Sequence, residues 1–318
     1  MALSKENQGW KDYWKEDRVA SCIPERESTA KEIGDRWIEM FTELPDGTSI
    51  LDVATGNGVL LTHAASAAER VGKNYVLTGV DLAEIDPIRY LSNLPAGLRE
   101  ARFIGGIAAE SLPFSDAEFD LVVSQYGLEY ADLDKALAEV ERVLASGGRL
   151  IWLAHSEESL VFEQNRDRGA QVEFLLAPGG PIHAMRQFIG KIKKRKKLES
   201  AAKRLNSALA TAEEYSRDHP PATVVREVCT VLAETAQKWQ AYDLADLDHM
   251  LTDCRMRLIA HRQRINDLRS AVMSPARVDA VRNRLERPQW HSVSLTTMCV
   301  GSTESPIGLM ITACRAAM

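Results

Sequence analysis

Between Ile50 and His155, short apolar runs alternate with amphipathic stretches, and this constrains the fold more than any other feature of the chain. "SILDVA", "YVLTGVD", "ARFIGG", "FDLVVSQ" and "RLIWLAH" read as five strands, the third the weakest. "NGVLLTHAASAAERVG", "IDPIRYLSNLPAG" and "DLDKALAEVERVLASGG" read as helices between them, each closed by glycine. Upstream, Ile33, Trp37, Phe41 and Leu44 recur at helical spacing before "PDGTS" breaks the helix. Apolar strands separated by helices form a parallel sheet covered on both faces. The expected class is therefore α/β, doubly wound, up to about residue 156.

Past His155 the pattern changes. Residues 157–287 offer no strand, only long helical stretches, among them "LESAAKRLNSALATAEEYSRD" and "ADLDHMLTDCRMRLIAHRQRINDLRSAV". Strand text returns in "WHSVSLTTMCV" and "PIGLMITACRA", close enough in sequence to demand an antiparallel hairpin. Two strands do not make a domain, so the hairpin is expected to rejoin the first sheet. The expected organisation is an N-terminal lid segment (1–26), a core (27–156 and 288–318) and an all-helical cap insertion (157–287). The cap is expected above the strand ends, where it would shape the substrate site, and its amphipathic helices also suit a homodimer interface.

Composition narrows the partners. The 318 residues are 45% hydrophobic and 26% charged, with a formal net charge of -6, a poor balance for a nucleic-acid binder. No apolar run is long enough to span a membrane, and the polar N-terminus lacks a signal-peptide core. Five scattered cysteines without a C-x-x-C pair read as reduced thiols in a cytoplasmic protein, with no metal site.

The loop "ILDVATGNGVLL" places Gly56 and Gly58 at the mouth of the first strand, where glycine lets the backbone approach a ligand. Asp81 ends the second strand, placed to accept hydrogen bonds from both hydroxyls of a ribose. A dinucleotide would need a third glycine, so that the helix N-terminus could meet the pyrophosphate. Leu61 stands there instead, behind Val59 and Leu60. An adenosine ligand without phosphate, such as S-adenosylmethionine, needs no such contact.

With these motifs the chain resembles the class I S-adenosylmethionine-dependent methyltransferases of the small-molecule type, which have a Rossmann-like fold. "ILDVATGNG", "LTGVDLA", "AAESLPFSDAEFDLVVSQYGLEY" and "ALAEVERVLASGGRLIWLAHS" are similar to the family's motifs and follow its order. The resemblance implies S-adenosylmethionine as cofactor, with Asp52, Thr55, Gly56 and Gly58 around its methionine part. Asp81 would bind the ribose, Leu82 would pack on the adenine, and Ala109 would offer a backbone N–H to it. Ala108 stands where the family usually carries an acid that meets the adenine amino group. Ala54 replaces the first glycine of the family's loop. Gln125 and Tyr126 would line the route to the methyl group.

Methyl transfer needs an aligned nucleophile and, for some acceptors, a base. Candidates where strands four and five end are Tyr126, Glu129, Tyr130 and His155. His155 is best placed for proton removal near neutral pH, but a histidine that only bonds to a loop would look the same. Glu129 could bind a substrate amine or cap a turn. Tyr13 and Trp14 are candidates for an aromatic lid over the sulfonium, or for plain packing onto the core. The expected activity is methyl transfer to an O or N atom of a small molecule. One alternative keeps the cofactor and cyclises its own chain, releasing methylthioadenosine. Another is an RNA-directed methyltransferase or binding module that uses "KIKKRKK" (Lys191–Lys197) against phosphate.

Overall fold

The computed structural model describes residues 10, 13–15, 27–94, 96–301 and 304–317. Of the expected lid segment only Trp10 and residues 13–15 are therefore described; the rest of it, with Cys22, lies outside.

A seven-stranded sheet runs in the order β3-β2-β1-β4-β5-β7-β6. Its first five strands are β1 (Ser49–Val53), β2 (Val76–Asp81), β3 (Arg102–Gly105), β4 (Phe119–Gln125) and β5 (Leu144–Ala154), paired in parallel. The hairpin β6 (Trp290–Val300) and β7 (Ser305–Arg315) joins it as expected, with β7 antiparallel to β5. Ile50 and Leu51 show why the strand text is apolar throughout. Ile50 enters a core with Trp37 and Phe41 of α1 (Glu27–Thr42) and Leu60, Leu61 and Ala64 of α2 (Val59–Val71). Leu51 faces the opposite core, with Leu137 and Val140 of α4 (Leu133–Val143). Leu61 is fully buried. The bulky residue at the third-glycine position thus packs the helix onto the sheet.

Two local readings change. The stretch "IDPIRYLSNLPAG" forms only one helical turn, α3 (Pro87–Tyr90), and a 3-10 turn at Ala96–Leu98. Asp86 caps α3 by accepting from the Arg89 N–H, but Leu91 is extended and ends it at once. The helix read through "LASGG" stops at Val143, because Leu144 already pairs with Phe119 of β4.

By compactness the chain divides into residues 1–164 with 267–318, and residues 165–266. The second unit is narrower than the 157–287 read as cap. Past its end, Met273 and, in α10 (Pro275–Leu285), Val281 and Leu285 bury themselves in the sheet core. The unit boundaries fall within α5 (Leu160–Leu176) and α9 (Leu244–Ala271). Between them lie α6 (Pro181–Lys193), α7 (Glu199–Asp218) and α8 (Thr223–Gln237). This unit has its own core, with Val172, Leu175, Met185, Phe188, Leu205, Leu232 and Leu251. The Gln171 side chain also accepts the Val224 N–H at 3.0 Å, at the start of α8. The basic run ends α6. Lys193 pairs there with Asp248 at 2.7 Å, and Lys194 to Lys197 are exposed.

Candidate functional site

In a doubly wound sheet the crevice opens where the chain reverses direction across the strands, here between β1 and β4. The turn after β1 is built tightly. Ala54 has φ 60° and Gly56 φ 54°, and the Thr55 N–H donates to the Val80 carbonyl at 2.9 Å. Gly58, with φ 84°, starts α2, and a side chain there would come within 2.8 Å of the Phe103 ring. Ala54 thus adopts the left-handed conformation that glycine takes without penalty, at a cost of roughly 1–2 kcal/mol. At the end of the neighbouring strand, Tyr126 is left-handed too, at φ 55°. Two such non-glycine residues on adjacent strand ends mark the crevice as a place where the fold tolerates strain.

The acids lie beneath this turn. Asp52 and Asp81 are buried. The Thr55 hydroxyl donates to Asp52 at 2.7 Å, and the N–H groups of Gly56 and Ala83 donate to Asp81 at 2.8 Å each. Burial pushes Asp52 up to about 8, against the Thr55 bond and with the help of the Asp81 charge. Burial likewise raises Asp81 to about 6, against the Ala83 and Gly56 N–H groups. Among the described residues no cationic side chain pairs with either. Two buried acids beside a glycine turn suit a ligand that brings its own positive charge and hydroxyls, as S-adenosylmethionine does. The residues present therefore fit that cofactor.

Other expected cofactor residues sit around this pair. Leu82 follows Asp81 at the C-terminal end of β2 and is 43% exposed, an apolar side chain left open to solvent. The loop with Ala108 and Ala109 is tied to β2 by the Ile107 N–H, which donates to the Asp81 carbonyl at 2.9 Å. Gln125 ends β4, and its side-chain oxygen accepts the Trp37 indole N–H at 2.6 Å. The Trp37 bond joins residues 88 positions apart, too far for any local pattern to reveal it.

Rings connect the two sides of the site. The Trp14 indole lies on Gly56, where even a methyl group would collide with it, and the Trp14 carbonyl accepts from Asn57 at 2.9 Å. Tyr13 stands edge-on to Trp14 (5.1 Å), Trp10 to Tyr13 (5.7 Å) and Trp10 to Tyr130 (5.8 Å). Tyr130 in turn meets the His155 ring at 6.1 Å, and Tyr126 stacks on it at 4.4 Å.

His155 is fully buried just past β5, and among the described residues neither ring nitrogen has a hydrogen-bond partner. Burial alone pulls it down to about 3, so the ring is neutral at physiological pH. The Tyr126 hydroxyl donates to the Ile307 carbonyl at 2.9 Å. Glu129, also fully buried, accepts from the Trp152 indole at 3.0 Å and from the His155 backbone N–H at 2.8 Å.

Residues 50–148 match the model of the methyltransferase domain family. This domain belongs to the class I S-adenosylmethionine-dependent methyltransferases. Among curated proteins, the demethylmenaquinone methyltransferase of Thermus thermophilus is 39% identical over 110 residues, 33% of this chain and 46% of that one. The ubiquinone/menaquinone biosynthesis C-methyltransferase of Psychromonas ingrahamii is 37% identical over 119 residues, 35% and 43% of the two chains. This chain thus spans less than half the length of either relative. Among solved structures, a SAM-dependent methyltransferase from Aquifex aeolicus is 21% identical over 40% of this chain and 65% of that one, with a TM-score of 0.34.

The acid pair of this methyltransferase domain makes a pH prediction. Both carboxyls titrate above their unfolded value of 3.8. Each therefore favours the folded state while protonated and loses that contribution as pH rises through about 6 and about 8. The free protein is expected to lose melting temperature from about pH 4 to about pH 8. The rise produced by S-adenosylmethionine should grow over the same window, because a cation favours the ionised acids. A ligand-induced rise that stays constant with pH would show that these acids do not face the cofactor.

Proposed function

We propose that this chain transfers a methyl group from S-adenosylmethionine to a small-molecule acceptor held between Tyr130 and His155, at the ends of β4 and β5. The observation that carries this reading is the buried Asp52–Asp81 pair, which pairs with no cation among the described residues and lies under the Gly56–Gly58 turn. When bound, the cofactor supplies a methyl group already activated by its sulfonium. Asp81 would orient the ribose, and Asp52 with Thr55 would face the cationic amino-acid end. Trp14, Tyr13 and Trp10 would exclude water from the methyl group.

The acceptor side is aromatic and poorly solvated. The depressed basicity of His155 suits a neutral hydrogen-bonding group better than a proton acceptor. Its two unpartnered nitrogens offer one donor and one acceptor to a substrate oxygen or nitrogen. The named relatives act on quinone precursors, one of them by name at carbon, so the reading extends from O and N acceptors to carbon.

The direct test is calorimetry with S-adenosylmethionine, followed by product analysis against candidate phenols, quinols and amines. Saturable binding with release of S-adenosylhomocysteine is the expected result. Absence of binding would overturn the reading, and release of methylthioadenosine would replace methyl transfer by cyclisation.

A further inference from the structure

We infer that Arg277 is a positioning residue for the acceptor side: it grips the turn carrying Glu129 and Tyr130 and so fixes the ends of β4 and β5 against each other. The inference rests on the reading above for where the acceptor lies. Its structural content comes from a different part of the chain, well outside the matched residues 50–148.

Arg277 lies in the first turn of α10. One guanidinium nitrogen, Nη2, donates to the Glu129 carbonyl at 2.6 Å, and the other, Nη1, donates to the Ser270 carbonyl at 2.8 Å. The same junction reaches β5 directly. The Met273 N–H donates to the His155 carbonyl at 2.8 Å, and Met273 forms a parallel bridge with Ser156. The segment from Ser270 to Arg277 therefore touches both the turn after β4 and the residues just past β5. These are the two places that carry Tyr130 and His155.

Glu129 is the piece between them. Its backbone is held by Arg277, and its carboxylate spans to β5 through the Trp152 indole and the His155 N–H. A planar guanidinium that grips two carbonyls at once fixes direction as well as distance, which a lysine ammonium does not. The groups facing the carboxylate are the Trp152 and His155 N–H donors from β5, the N–H of Glu129 itself, and the Arg277 cation from α10. The His155 ring stays neutral beside them. Burial raises Glu129 to about 7, and among the described residues Arg277 is the cation opposing that rise. Such a clamp favours the ionised carboxylate, which at about 7 is half charged near neutral pH, and holds the turn that carries it.

The Trp152 indole N–H reports on this arrangement without any acceptor. In the full-length 15N-labelled protein, with the resonance assigned through Trp152→Phe, its shift should titrate with a midpoint near 7. Arg277→Met should move that midpoint up by less than about one pH unit, because the Arg277 charge opposes the rise less than the hydrogen bonds to the carboxylate do. Arg277→Lys, which restores charge but not the fork, should fall between. Affinity for S-adenosylmethionine should stay within about twofold in both variants, since the Asp52–Asp81 pair makes no contact with Arg277. A midpoint that is the same in all three proteins would overturn the inference. So would cofactor affinity falling in step with the midpoint, which would mark a general structural role. If Arg277→Met does not fold, the Lys variant decides alone, because its midpoint must still rise. Failure of the wild-type protein to bind cofactor would sink the proposed function and leave the clamp to be judged by the titration.

Discussion

Asp81→Ala is expected to raise the dissociation constant for S-adenosylmethionine by about 100-fold, measured by calorimetry near pH 8. A carboxylate that bonds both hydroxyls of a ribose contributes charge-assisted bonds worth about 1.5 kcal/mol or more each, and losing two amounts to roughly 3 kcal/mol. The substitution also removes the acceptor for the Gly56 and Ala83 N–H groups, each held at 2.8 Å. The turn itself should therefore loosen, and part of the loss should appear as a slower or less favourable ordering step. Asp81→Asn keeps an acceptor oxygen for one N–H and drops the charge, so it should fall between wild type and Ala. Affinity for Asp81→Ala within about threefold of wild type would remove Asp81 from the cofactor site.

The second large effect is on stability. Trp37 is fully buried between α1 and the sheet, stacked on Phe41 at 5.7 Å, and its indole N–H holds Gln125 at 2.6 Å. Trp37→Ala should cost about 3–5 kcal/mol in chemical denaturation, from lost burial and an unfilled cavity. Trp37→Phe should cost less overall yet still leave the half-buried Gln125 oxygen without its donor, at about 1 kcal/mol. If the Phe variant were as stable as wild type, the indole bond to Gln125 would have no structural importance. In that case Gln125 would be free to turn toward a ligand.

Much of the cofactor side was legible because it depends on short stretches of sequence. Gly56 and Gly58 do adopt positive φ, Asp52 sits one residue from the end of β1 and Asp81 ends the adjacent β2, and the Thr55 hydroxyl bonds to Asp52. A strand, a turn and a helix start lie within a dozen residues, so local pattern is enough to read them. The missing third glycine was also readable, since Leu61 belongs to the core that α2 shares with α1. The acceptor side was readable only as a set of names. Glu129, Tyr130 and His155 could be listed as candidates, but their states depend on neighbours far along the chain. His155 looked like a base by position, and its full burial, which lowers its affinity for a proton, shows only in the fold. Glu129 looked like a substrate contact or a cap, and it holds two N–H groups of β5.

Sequence alone therefore determined the class of fold, the family and the position of the glycine turn, because period and glycine placement are properties of neighbouring residues. The tertiary structure decided which groups are charged and which hold others in place. Arg277 stands 148 positions from Glu129, and Trp37 stands 88 from Gln125. Ionisation and orientation in a buried site depend on what is brought within a few ångströms, and only the folded chain sets that distance.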